Sequence, residues 1–176
     1  MKTYKDLKID DLKKVEYNYQ EKLTDFLDNY DDDFSQELID KIILWKINRY
    51  AFVPKETLDK INKIKKSDEK IDIPLTREIL NDLLDENVKG IKLAIASTIL
   101  RFKNPNIYQI IDQRVYRLIY GTEFKLKTKV NENIIQYLAY LVDLRNVCDL
   151  YHIPFSESDR ILYEYDKIAN LENIKY

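Results

Sequence analysis

With 176 residues, 45% of them apolar, the chain is long enough for one domain with a substantial core. Its 29 Lys and Arg against 31 Asp and Glu leave a net charge of −2, a total that by itself argues against a nucleic-acid partner. The lone cysteine, Cys148, excludes an internal disulfide and any four-cysteine metal or iron–sulfur site, and no apolar run approaches a membrane span.

Four prolines and two glycines, amid heavy use of Leu, Ile, Lys and acidic residues, favour helices over strands. The start, Met1-Lys2-Thr3-Tyr4-Lys5-Asp6, does not read as a signal peptide, so a cytoplasmic location is expected. Leu12, Val15, Tyr19, Leu23 and Phe26 recur at helical spacing and predict one amphipathic helix from about Asp10 to Leu27. After an acidic turn, Asp33 with Gln36 reads as a capping box opening a second helix through Leu38, Ile39, Ile42, Ile43 and Ile47. Pro54 opens a short helix through Leu58, Ile61 and Ile64, which ends at Lys65-Lys66-Ser67. Residues 68–74 read as a loop, and Ile79, Leu80, Leu83 and Leu84 mark the helix that follows.

The next helix runs from about Lys92 to Phe102 and stops before Asn104-Pro105-Asn106. Ile107 to Ile111 is an apolar connector, and Asp112 heads a helix that Gly121 closes as a C-cap. A basic loop from Thr122 to Lys129 leads into a long helix through Ile134, Leu138, Leu141 and Cys148, ending near Tyr151. Cys148 lies on its apolar stripe, as an inert buried thiol would. The sole histidine, His152, falls in the following loop. Pro154 and a Ser156–Asp159 capping box begin the last helix, through Ile161, Leu162, Tyr165 and Ile168. The expected fold is all-α: residues 1–176 form a single compact domain of eight to nine helices with short connections.

Function is argued from residues 76–121, which hold one of the two glycines inside and the other at their end. Gly90 sits between two apolar helical patterns, so it reads as a tight hairpin joining two helices. A helix that starts straight after such a turn offers free backbone N–H groups and its dipole to a phosphate. Charge is distributed unevenly: residues 1–40 carry six basic against twelve acidic side chains, residues 86–130 nine against three. Such asymmetry points to a polyanion on one side of the fold, or else to two segments that neutralise each other.

Gly90-Ile91-Lys92-Leu93-Ala94-Ile95-Ala96-Ser97-Thr98-Ile99-Leu100, followed by Ile110-Ile111-Asp112-Gln113-Arg114-Val115, resembles the helix-hairpin-helix DNA glycosylase superfamily. Its small bacterial members without an iron–sulfur cluster are the most similar, and Leu44–Arg49 and Ser156–Tyr165 also look like theirs. The resemblance implies a multi-helix glycosylase-like fold, double-stranded DNA as partner, and DNA contacts from Lys89, Gly90, Ile91, Lys92 and Arg114. It implies that Asp112 stabilises the positive charge built on a sugar as an N-glycosidic bond breaks, and orients an attacking water. The base would first have to leave the duplex. Trp45, Tyr50 and Phe52 are candidates for the wall of its pocket. No organic cofactor or metal site is implied; a monovalent cation at the hairpin is left open.

The chain departs from the family's glycine-x-glycine hairpin and lysine pattern at two places. The second hairpin glycine is Lys92, so either the turn differs or a lysine takes that geometry. Where bifunctional members carry a Schiff-base lysine stands Ala94, which leaves a monofunctional glycosylase; Lys92, two residues away, falls on a different helical face. Each residue also has a plainer role. Asp112 serves as an N-cap bonded to the Val115 amide, Gly90 as an ordinary helical hairpin, and Trp45 as core. The loop Lys125-Lys127-Lys129 is either a solvated turn or a phosphate-contacting edge. A non-catalytic DNA-binding module and a helical scaffold for a protein partner are the alternatives to an enzyme.

Overall fold

The computed structural model describes residues 2–16, 21–46, 53–88 and 90–171, with backbone alone at 21 and 22. Among these residues every regular element is helical: α1 (Ile9–Leu12), α2 (Glu21–Asp28), α3 (Gln36–Lys46), α4 (Lys55–Ile61), α5 (Ile73–Leu83), α6 (Leu93–Lys103), α7 (Gln113–Tyr120), α8 (Val130–Tyr151) and α9 (Ser158–Ala169). Single 3₁₀ turns precede α1 and α9. No helix among them is long and apolar enough to cross a membrane.

The centre is α6. Its sequence, Leu-Ala-Ile-Ala-Ser-Thr-Ile-Leu, is apolar or small on every face, the pattern of a helix with neighbours all round. Leu93, Ile95, Ala96, Ile99, Leu100 and Phe102 are all buried, with α3 and α5 packed against the helix. The two hydroxyls that interrupt the pattern, Ser97 and Thr98, donate to the Ala94 carbonyl. Along α8, Ile134, Tyr137, Leu141, Leu144 and Cys148 recur at alternating three- and four-residue spacing and line its buried face.

A buried ion cluster ties α7 to α9. Asp166 is 0% exposed and receives Nε of Arg117 at 2.7 Å, Nη2 of the same residue at 2.5 Å and Nη1 of Arg114 at 3.1 Å. Removing one partner from such a buried pair leaves a stranded charge, which is far costlier than losing an exposed ion pair.

Most helix boundaries follow the sequence signals. Pro54 leads into α4, Asp72 caps α5 through the Leu75 amide, and Asn104 ends α6. Gly121 closes α7 at φ +69°, a backbone that disfavours any side chain, and His152 closes α8 at φ +55°. Three expectations are corrected. The single helix from Asp10 to Leu27 is broken: α1 ends at Leu12, Lys13 and Lys14 form a turn, and α2 starts at Glu21; Tyr19 lies outside the described residues. The cap of α3 is Ser35, whose hydroxyl accepts from the Leu38 amide, not an Asp33–Gln36 box. Gln36 instead spans to Asp40 and to the Val53 amide, so its side chain is spent on tertiary contacts. The Ser156–Asp159 box does not form either: Asp159 is buried and turned toward Arg101, so it is drawn into an ion pair instead. Ile47, which was expected to continue α3, lies outside the described residues.

Candidate functional site

The stretch from Asn104 to Asp112 is irregular, and residues 107–111 within it are buried, so their backbone groups need partners away from water. Side chains from α8 and α6 supply several of them, while the connector's own Asn104 amide donates outward to the carbonyls of Lys65 and Asp68. From α8, the Tyr137 hydroxyl donates to the Gln109 carbonyl and the Tyr140 hydroxyl to that of Ile110, at 3.0 and 2.8 Å. From α6, the Ser97 hydroxyl accepts the Ile111 N–H at 3.1 Å. Burial pushes the phenols of Tyr137 and Tyr140 far above their ordinary range, so both stay protonated as donors. The last residue of this fixed connector is Asp112.

One oxygen of Asp112 caps α7, accepting the Arg114 N–H at 2.8 Å. The capped amide is thus Arg114's and not Val115's, because the cap closes one residue earlier. The other oxygen lies 3.9 Å from Nζ of Lys46, at the C-terminal end of α3. The Asp112 side chain is 11% exposed and that of Lys46 23%. Capping therefore uses one oxygen and leaves the second turned toward a cation at the edge of solvent.

Both residues line a cleft of about 610 Å³. Such a volume falls among those of small-ligand sites, about 300–1,000 Å³. Its walls are largely apolar: Trp45 of α3, Ile110 and Ile111 of the connector, Phe124 and Leu126 of the loop after α7, and Tyr163 of α9. Burial, and then the Asp112 carboxylate, push the Tyr163 phenol upward, so it enters the cleft protonated. Lys92, Ala94, Gln113, Asp159 and Arg160 complete the lining.

The Gly90 turn faces solvent at φ +88°, where glycine is required, and Ile91 anchors it in the core. Lys92, in the position of the family pattern's second glycine, has ordinary extended backbone at φ −121° and ψ 176° and immediately precedes α6. A glycine is not needed there. The exposed Lys92 makes no side-chain cap bond at the start of α6. The expectation that Lys92 falls on a different face from Ala94 is corrected: since residue 92 precedes the helix, helical spacing does not govern it, and both line the cleft.

Trp45 is both core and wall. It is buried, donates from Nε1 to Thr24 at 2.8 Å, and meets Phe102 edge-on at 5.3 Å. Arg114 is turned inward to Asp166 and over the Tyr163 ring. Tyr50, Phe52 and Lys89 lie outside the described residues. Among the described residues no group of three or more acidic, His or Cys side chains is arranged for a metal ion.

Sequence reading missed Lys46, Asp159 and Arg160. Asp159 faces Nε of Arg101 at 3.3 Å, and Arg101 also binds Asp28 at 2.6 Å. Burial opposes the charge on Arg101, but Asp159 and Asp28 outweigh it and hold its ionisation above the ordinary arginine range. Arg160 also pairs with Asp28. Part of the charge asymmetry is therefore internal, since acidic Asp28 of the N-terminal segment neutralises Arg101 of the basic one. What stays exposed from that basic segment includes Lys92, Lys125, Lys127 and Lys129. Comparison of the chain with protein-family models, with curated proteins and with solved structures gives no match in any of the three.

Proposed function

We propose that the protein is a monofunctional DNA glycosylase, which removes a damaged or modified base from DNA by water attack at the anomeric carbon. The observation that carries the reading is the position of Asp112: one oxygen is used as a cap, and the other lines a nucleotide-sized cleft beside an exposed turn and the start of α6. A carboxylate fixed there stabilises the cationic sugar of the departing bond and takes the proton of the incoming water. The apolar walls suit a flipped base, which exchanges stacking in the duplex for packing in the cleft. The N–H groups at the head of α6 and the Lys92 ammonium suit the phosphate backbone. Ala94 itself offers no amine, while Lys46 and Lys92 line the same cleft, so the need for alkali is what separates hydrolysis from a lyase step.

The test is incubation with a panel of duplexes carrying modified bases, resolved with and without alkali. Strand breaks that need alkali, absent with Asp112→Asn, support the reading. Breaks without alkali would reveal an amine-driven lyase and overturn the monofunctional step. No breaks on any duplex would remove the activity.

A further inference from the structure

Lys46 carries an ammonium that the protein leaves without an acceptor. Its Nζ lies 3.9 Å from the Asp112 oxygen that capping does not use, inside the range of an ion pair and outside that of a hydrogen bond. Among the described residues no other oxygen takes its protons. Yet the side chain is only 23% exposed and lines the cleft, where a donor calls for a partner. The other charges of the cleft are committed elsewhere: Asp159 faces Arg101, and Arg160 is held by Asp28 and Glu157. Lys92 stands exposed before α6, on the side offered to the strand's phosphates. The acceptor that Lys46 lacks therefore has to come with the ligand.

Breaking a glycosidic bond leaves its electron pair on the base. An uncharged base then departs as an anion unless it is handed a proton, and a positioned acid speeds that departure. A base that is already cationic, such as an N7-alkylated purine, departs neutral without help. The cleft treats these two cases differently. A cationic base would be pressed against Lys46 between apolar walls, where like charges repel more strongly than in water. An uncharged base finds a donor there. Lys46 also ends α3, where the helix dipole favours a cation.

We propose that the cleft takes uncharged modified bases, and that Lys46 is the acid that protonates the departing base at the ring acceptor beside its glycosidic nitrogen. The proposal rests on the glycosylase reading and names the substrate class within it. As the C1′–N bond breaks, its electron pair goes to the base and a Lys46 proton joins it there. The water oxygen bonds C1′, and the water proton passes to Asp112. Lys46 is left as a neutral amine and Asp112 as a carboxylic acid. Transfer of that proton across the 3.9 Å between them restores both. The Lys46 nitrogen forms no bond to the sugar at any point, so this amine is an acid and not a nucleophile.

The experiment uses the full chain in single-turnover release from duplexes that each carry one modified base. Uracil, hypoxanthine and an oxidised guanine serve as uncharged bases, N7-methylguanine as the cationic one. Wild-type protein releases an uncharged base faster than N7-methylguanine. Lys46→Met slows release of the uncharged base by at least about 100-fold and collapses the preference. Lys46→Arg keeps the positive charge but holds its protons too tightly to give one up, so it is slowed as far. Thermal melting and duplex affinity by polarisation check that both variants fold and bind. Equal slowing of both kinds of base by Lys46→Met makes the residue structural and overturns the acid. So does full activity of Lys46→Arg, or a borohydride-trapped adduct on Lys46. N7-methylguanine released in preference to every uncharged base overturns the substrate class and leaves the glycosylase reading standing. Release of no base at all overturns both.

Discussion

Ser97→Ala removes a single oxygen from the centre of the molecule and tests how Asp112 is held. Ser97 is 0% exposed, donates to Ala94 within α6, and accepts the N–H of Ile111, one residue before Asp112. Alanine leaves that N–H without its partner in a buried connector, and an unsatisfied buried donor costs about 1–3 kcal/mol. At about 2–4 °C per kcal/mol for a chain of this size, the thermal midpoint should fall by roughly 2–12 °C. Thr98→Val is the control. Thr98 is equally buried, but its hydroxyl only donates to the carbonyl of Ala94. Its near-isosteric replacement should cost less than about 1 kcal/mol. Urea unfolding followed by circular dichroism measures both, as midpoint changes at constant slope. If Ser97→Ala proves no more costly than Thr98→Val, the connector is not held by that hydroxyl, and the argument for a preset Asp112 fails.

Asp112→Asn keeps an oxygen for the Arg114 amide, so stability should change by less than about 1 kcal/mol while base removal falls by at least about 100-fold; melting and excision assays on the same preparation separate the two. Arg117→Met strands Asp166 with Arg114 as its remaining guanidinium and should cost about 3–5 kcal/mol, read by urea unfolding. A loss below 1 kcal/mol would deny the α7–α9 ion pair its structural role. Burial pushes the Cys148 thiol up to about 11 and, chiefly, the Tyr108 phenol to about 12. The unfolded chain releases these protons at lower pH than the folded one, so stability is complete below about pH 9 and falls as pH rises through 11 and 12. Unfolding midpoints that stay level from pH 8 to 11 would contradict this. Cys148 should also resist thiol reagents at pH 8 until the chain unfolds.

Local signals in the sequence carried the helices well where they were self-contained. Pro54 and Gly121 each act on their own turn of chain, and the structure uses both as read, whereas the Asp72 cap that starts α5 at Ile73 falls within the stretch 68–74 that reads as a loop. The capping boxes at Asp33 and Ser156 failed because tertiary partners claimed the same side chains: Gln36 reaches Val53, and Asp159 reaches Arg101. Apolar spacing from Leu12 to Phe26 suggested one helix, whereas α1 ends at Leu12 and a turn follows at Lys13 and Lys14. At the site, the motif singles out both Lys92 and Asp112, which line one cleft, whereas Lys46 had no local mark. Its place opposite Asp112 depends on α3 packing against α6, a contact between segments far apart in the chain. Charge totals misled in part, since pairing of Arg101 with Asp28 is a property of the fold alone.

The most direct measurement is a crystal structure of the protein with duplex DNA carrying a transition-state mimic, a cationic pyrrolidine abasic nucleotide. The charged ring should lie in the cleft with its nitrogen within hydrogen-bond reach of the Asp112 oxygen that faces Lys46, and the neighbouring phosphate at the start of α6. DNA bound on another face, or a ring in the cleft that leaves Asp112 untouched, would contradict a base-removing role for this carboxylate.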